Sequence, residues 1–219
     1  MPDFTPRSPD TLERSVWVVV DPRDAVTGRR VLDPLRVRLK NVSAEPIAAR
    51  SGVYCFVDLR VAPAKYTVQV EPLLDGYFSA EAEFALEAIP VAGAPLKRNP
   101  VTVNLFPRPA YALGEQTTVA RGRLVRASNG APIGGALVGL LQGTAASVRA
   151  RTDERGEFVV AFPIEPPADG STATNSKDRK KLKFRLRFIL AGRPDHDIAE
   201  REVEEGAAIS LKDITFPGS

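Results

Sequence analysis

Short runs in which apolar and polar residues alternate, each closed off by glycine or proline, follow one another along the whole chain. In one, Leu35, Val37 and Leu39 alternate with Arg36, Arg38 and Lys40, and in another Tyr66, Val68 and Val70 alternate with Thr67 and Gln69. A period of two sends successive side chains to opposite faces of an extended strand, so each run has one face for a core and one for water. Proline reinforces the reading: 19 of the 219 residues are proline, roughly twice ordinary usage, and proline is excluded from helix interiors but fits turns and strand edges. The pattern predicts an all-β chain rich in turns. The stretch "YFSAEAEFALEAI" tests that prediction, because alanine and glutamate favour helix. Its apolar residues Phe78, Ala80, Ala82, Phe84 and Leu86 nevertheless fall at period two, which predicts a strand.

The runs also recur. Gly28 ahead of Val31 and Leu35 parallels Gly130 ahead of Ile133 and Leu137, Gly52-Val53-Tyr54 parallels Gly156-Glu157-Phe158, and "NLFP" ending at Pro107 parallels "ITFP" ending at Pro217. Three landmarks in the same order at slowly widening spacing mark an internal duplication. The expected layout is a polar, flexible N-terminal arm (1–14), a first β-sandwich (15–107), a linker (108–117) and a second β-sandwich (118–219). Each sandwich is expected to hold about seven antiparallel strands.

One local sequence stands out within that plan: Asp153-Glu154-Arg155-Gly156 lies directly ahead of the apolar strand that begins at Phe158. Aspartate early, polar residues in the middle and glycine at the end are the residues of a tight four-residue turn, so the segment is expected to close a β-hairpin. Together, "GRLVRASNGAPIGGALVGLL" and "RTDERGEFVVAF" resemble the carboxypeptidase regulatory-like domains, a transthyretin-like β-sandwich family, through Gly122, Gly130, Pro132, Gly135, Ala136, Val138, Thr152, Asp153, Gly156 and Phe158. The first half resembles a diverged copy that keeps Gly28, Gly52, Tyr54, Pro63, Tyr66 and Val68, but has Ala64 where glycine is usual and no Thr-Asp ahead of Gly52. The resemblance implies a sandwich that serves as a carrier for many functions, not a particular activity.

Composition and single residues narrow the chemistry. Hydrophobic residues make up 43% and charged residues 26% of the chain, an ordinary globular mixture. The net charge of +3 lacks the strong, clustered excess of a dedicated nucleic-acid binder. The single cysteine, Cys55, rules out an intrachain disulfide and a cysteine-rich zinc site. Its setting in "VYCFV" predicts a buried, unreactive thiol. His196 is the single histidine, so a catalytic triad has no second candidate base. In Asp195-His196-Asp197, neighbours on a strand point to opposite faces and do not converge on one ion; a solvated turn is expected. The hydroxyisourate hydrolases, transthyretin-like enzymes, require histidines and a terminal serine motif that this chain lacks. With no signal-like or membrane-length apolar segment, the expectation is a cytoplasmic protein without cofactor or metal.

The densest charge feature is "KDRKKLKFRLRF", which carries Lys177, Arg179, Lys180, Lys181, Lys183, Arg185 and Arg187. From Lys183 it alternates with Phe184, Leu186 and Phe188, giving a strand with one basic and one apolar face. Two readings stand: a solvated face whose lysines discourage edge-to-edge pairing, and a docking surface for an acidic partner. The aromatics fall on the face opposite the charges, so a nucleic-acid stacking platform is disfavoured. The preceding "PIEPPADGSTATNSKD" reads as an exposed loop. The expected function is a non-enzymatic structural or adaptor protein making protein–protein contacts, with a contractile injection particle as one setting by fold-level analogy. Alternatives are a module binding a glycan or cell-envelope polymer, and an enzyme using a carboxylate pair or His196.

Overall fold

The computed structural model describes residues 16–40, 42–57, 65–85, 100–113, 117–142, 145–162 and 181–217. All named elements are strands, and they form two sandwiches in tandem. The first contains β1 (Val16–Asp24), β2 (Leu35–Leu39), β3 (Ile47–Ala48), β4 (Tyr54–Val57), β5 (Tyr66–Pro72), β6 (Ala80–Phe84) and β7 (Val101–Leu105). Its sheets run β3-β4-β1-β7 and β2-β5-β6. The second contains β8 (Val119–Arg126), β9 (Leu137–Gln142), β10 (Ala145–Arg151), β11 (Glu157–Ala161), β12 (Lys181–Ile189), β13 (His196–Asp197), β14 (Arg201–Glu204) and β15 (Ala208–Phe216). Its sheets run β11-β8-β15 and β10-β9-β12, with β13 and β14 both paired to β12.

The two halves share a wiring diagram. The first strand of each lies between an antiparallel neighbour and the last strand of the half, giving β4-β1-β7 and β11-β8-β15. The pairings of β1 with β7 and of β8 with β15 are parallel, the one departure from an all-antiparallel expectation. A parallel pair needs a long connection between its strands, and here the rest of each half supplies it. Each core lies between its two sheets. Val18, Val20, Val37, Phe56, Val68, Val70 and Val103 fill the first, and Leu124, Val138, Leu140, Phe158, Val160, Leu186 and Phe216 fill the second. The alanine- and glutamate-rich stretch is a strand, β6, paired with β5 from Tyr66↔Phe84 to Val70↔Ala80. Packing against β5 overrides local helix propensity there; Leu86 lies outside the described residues.

The repeated glycines adopt matching geometry. Gly28 and Gly130 both have φ of 69°, and each donates its N–H to a carbonyl four residues back, that of Asp24 or Arg126, at 2.9 Å. Gly52 donates to Ala49 O at 3.0 Å as Gly156 does to Asp153 O at 2.9 Å, and the bond from Ala49 N to Val53 O repeats that from Asp153 N to Glu157 O. The first-half turn therefore keeps its backbone geometry without the Thr-Asp pair. The closing landmark shifts by one residue. Ala25 N–H bonds Leu105 O as Ala127 N–H bonds Phe216 O, so the buried Leu105, not Phe106, is the counterpart of Phe216.

The 153–156 turn corrects the hairpin expectation. β10 pairs with β9 and β11 pairs with β8, so the turn is an arch that carries the chain from one sheet to the other. Asp153 still performs the turn chemistry: its Oδ1 accepts from Arg155 N–H at 2.9 Å and Glu157 N–H at 2.8 Å. Thr152 ties the arch to the "GGA" segment. Its Oγ1 accepts from Ala136 N–H at 2.9 Å, and its carbonyl accepts from Gly135 N–H at 3.0 Å. Gly156 has φ of 75°, and a Cβ there would lie 2.4 Å from the Leu124 carbonyl oxygen. At Gly28 and Gly130 a Cβ would meet nothing within 4 Å.

These geometries separate the cost of a left-handed backbone from the cost of a clash. Gly28→Ala and Gly130→Ala are expected to lose about 1 kcal/mol, the conformational term alone. Gly156→Ala is expected to lose at least about 3 kcal/mol, because backbone must shift as well. Urea unfolding of the three variants measures the difference; equal losses would show that the close approach at Gly156 relaxes without cost.

Candidate functional site

The basic strand sits in the interior of its sheet. β12 pairs with β9 on one side and with β13 and β14 on the other, so its lysines do not guard an open edge as the sequence suggested. Phe184, Leu186 and Phe188 are buried, as the alternation predicted. The charges opposite them face acids on the neighbouring strands. Lys183 lies 3.7 Å from both Glu200 and Glu202. Arg187 makes a two-pronged contact with Asp197, Nε to Oδ1 at 2.7 Å and Nη2 to Oδ2 at 2.9 Å. That hydrogen bond raises the Arg187 pKa and holds the Asp197 carboxyl below the usual carboxylate value. Lys181 stands opposite Glu204 in the ladder, and Arg185 is exposed opposite Leu141. Lys177, Arg179 and Lys180 lie outside the described residues, as does the loop ahead of them.

The first half uses the same device: Arg38 reaches Glu71 at 2.9 Å and Lys40 reaches Glu81 at 2.7 Å. Glu200, Glu202 and Glu204 alternate visibly in "AEREVEE", so the acids facing the basic strand had a sequence signal. That the two runs lie side by side had none.

His196 belongs to β13, opposite Phe188, with its ring edge-on to Phe216 at 5.7 Å between centroids. The flanking Asp195 and Asp197 both turn to Arg187, so the three side chains do not converge. Cys55 is half-buried, more accessible than expected, because it shares the outer side of β4 with the short β3 partner Ile47 while Phe56 fills the core.

Buried polar side chains, which the pattern reading missed, fix turns. Asp21 is 1% exposed and accepts from Arg23 Nε at 2.9 Å and Arg30 Nε at 2.7 Å. Burial pushes its pKa up, but the hydrogen bonds and charges of the two arginines outweigh this and hold it below the ordinary carboxylate value. Asp24 accepts from Val26 N–H at 2.7 Å and Thr27 N–H at 2.8 Å, and from the Tyr77 hydroxyl at 2.9 Å. With its proton given to Asp24, the Tyr77 hydroxyl accepts from the Tyr111 hydroxyl at 2.9 Å; burial, these bonds and the Asp24 charge all raise its pKa. Thr118 Oγ1 accepts from Gly206 N–H at 2.7 Å.

A cleft opens where the halves meet. Residues 108–113 pack on the first sandwich through bonds such as Arg108 N–H to Gly76 O at 2.9 Å. Arg121 of the second half donates to the Pro109 carbonyl. Val159 and Ala161, on the outer side of β11, are buried with Val119 against Val26 and Leu113. Beside this contact lies an open cleft of about 430 Å³ lined by Phe78, Ser79, Arg108, Gly134, Gly135, Arg151, Thr152, Asp153 and Glu154. The guanidinium of Arg108 lies 5.1 Å and that of Arg151 5.8 Å from the Phe78 ring centre, within cation–π range. Arg108 also approaches Asp75 at 3.1 Å and, across the joint, Glu154 at 3.9 Å.

No family model matches the chain, and no curated protein matches it. Solved structures overlay loosely. The Bacillus anthracis TIE protein is 11% identical over 90% of this chain and 33% of its own length, with a TM-score of 0.29. The shaft pilin SpaA of Lactobacillus rhamnosus GG is 9% identical over 95% and 99%, with a TM-score of 0.29. A streptococcal ancillary pilin is 11% identical over 93% and 68%, with a TM-score of 0.27. Overlays at this level support no conclusion about function.

The Asp21 cluster makes a pH-dependent prediction. A carboxylate with a lowered native pKa stabilises fully above its unfolded value, about 3.9, and that stabilisation is lost as pH falls through the native value. Asp21→Asn is therefore expected to lose about 1–3 kcal/mol at pH 7, a gap that closes on acidification below about pH 4. Thermal unfolding of both proteins from pH 7 to pH 2.5 checks this; a gap constant with pH would assign the loss to packing.

Proposed function

We propose that the chain is a non-enzymatic structural or adaptor protein built from two carboxypeptidase regulatory-like sandwiches, spanning 15–107 and 118–219, that works through protein–protein contacts. One observation carries the reading. Among the described residues, the deeply buried polar side chains Asp21, Asp24, Thr118 and Thr152 direct their hydrogen bonds to the chain's own turns, to two arginines and to Tyr77. Catalytic groups are tuned toward a substrate and held in a cleft; these groups hold the scaffold. The motif residues that carry the family resemblance fall under the same description, since Thr152, Asp153 and Gly156 shape the arch and Gly122 leaves room for Phe158, whose Cζ would lie 2.8 Å from a Cβ there. Among the described residues the sheets also end in strands paired on one side, β7, β10, β11 and β15 among them, and such edges can take up an extended partner segment.

The test is affinity capture of the tagged protein from its native lysate at low and high salt, with mass spectrometry of the eluate. A stoichiometric protein partner is expected. If that partner belongs to a large particle, as the injection-system analogy expects, other subunits appear with it. Recovery of the protein alone at both salt concentrations would overturn the adaptor reading.

A further inference from the structure

We propose that the cleft at the joint is a docking site for a carboxylate side chain of an acidic, extended peptide segment on the partner, with Arg151 as its principal ligand and Arg108 as a second. The proposal deepens the protein-contact reading and rests on it. It also moves the partner site away from the basic strand, whose Lys183 and Arg187 already face Glu200, Glu202, Asp195 and Asp197.

Four observations point to this ligand. Arg151 ends β10 half-buried at the cleft, held over Phe78, and among the described residues it has no carboxylate within ion-pair distance. A guanidinium oriented by a ring and lacking an anion is preorganised for a planar, two-pronged acceptor. Arg108 stands over the same ring, and the carboxylate nearest it across the joint, Glu154, is 3.9 Å away and 79% exposed at its side chain. On its other side Arg108 approaches Asp75 at 3.1 Å, a carboxylate 83% exposed at its side chain, so both of its ion pairs are solvent-screened and open to exchange for a partner's carboxylate. Gly135 has no side chain to shield Arg151: a Cβ there would lie 3.6 Å from Nη2, so the guanidinium is reachable along the glycine wall. Finally, the cleft is open and about 430 Å³, a shape that receives a side chain from an extended segment.

The lining also argues against other anions. Asp153 and Glu154 share the cleft with the arginines, so a doubly charged phosphate meets stronger repulsion there than a singly charged carboxylate does. The Phe78 ring already serves two guanidiniums, which disfavours a stacked nucleobase.

The experiment is an NMR titration of the full chain with the capped peptide acetyl-Gly-Glu-Gly-Glu-Gly-amide, its glutamine analogue and inorganic phosphate, following Arg side-chain Nε–H and backbone amide signals. Saturable shifts at Arg151, Arg108 and Gly135 are expected with the glutamate peptide and not with the glutamine analogue. Arg151→Gln is expected to weaken binding roughly tenfold or more. Glu154→Gln removes the internal competitor and is expected to tighten binding, and Lys183→Gln, which loses the same charge elsewhere, to leave it unchanged. Shifts confined to β12, equal binding of the glutamine peptide, or tighter binding of phosphate would each overturn the proposal. So would unchanged affinity in Arg151→Gln. A lysate partner captured equally well by Arg151→Gln would overturn the cleft while leaving the adaptor reading in place, and a loss of all capture by wild-type protein would remove that reading itself.

Discussion

The arch at 153–156 crosses β8 so closely that no side chain fits between them, and much of the second sandwich depends on that approach. Gly156 gives its carbonyl to Leu124 N–H at 2.8 Å, and a Cβ at Gly134 would lie 2.8 Å from the Asp153 carbonyl oxygen. Thr152 then fastens the "GGA" segment from below. With those contacts made, β10 is committed to one sheet and β11 to the other, and Phe158 and Val160 are delivered to the core. Buried backbone polar groups must find partners, and here three short stretches, 122–124, 133–136 and 152–157, satisfy one another. In the first sandwich the matching turn is a true hairpin, since β3 pairs with β4. Two nearly equal backbone turns can therefore serve different sheet connections, depending on which neighbour the incoming strand finds.

The joint between the sandwiches has a physical basis of its own. β11 is buried on both faces, one against its core and the other against Val26 and Leu113. A strand that reads as continuously apolar, as "FVVAF" does, signals cover on both sides. That cover brings Phe78 of the first half beside Arg151 and Glu154 of the second, and creates the cleft. Its chemistry follows from contact between the halves and from neither half alone.

Charge on the two sandwiches follows a common rule. Each basic strand face is set against acids of its own sheet, Arg38 against Glu71 on the adjacent β5, Lys40 against Glu81 one strand further on β6, and Lys183 and Arg187 against Glu202 and Asp197 on the adjacent β14 and β13. Exposed cross-strand pairs contribute little stability each; register is fixed by the apolar faces, since a slip by one residue would set those side chains against water. A run of seven basic residues was thus the most conspicuous feature of the sequence and, over its described part, is largely matched within the fold.

Patterns along the chain were enough for the β class, for strands such as β2, β5, β6 and β12, and for the paired glycine turns. Period-two alternation and glycine with positive φ are local properties, decided by backbone sterics and by which face of a strand is apolar. The sequence also showed that β6 is a strand despite its alanines, because face pattern outweighs propensity once a neighbouring strand exists. What pairs with what was settled by folding: that the 153–156 turn joins different sheets, that β12 is interior, that Leu105 answers Phe216, and that Arg108, Arg151 and Phe78 meet. Those are relations between residues far apart in the chain, set by which surfaces cover one another, and a pattern read along one strand carries no information about the strand that will lie beside it.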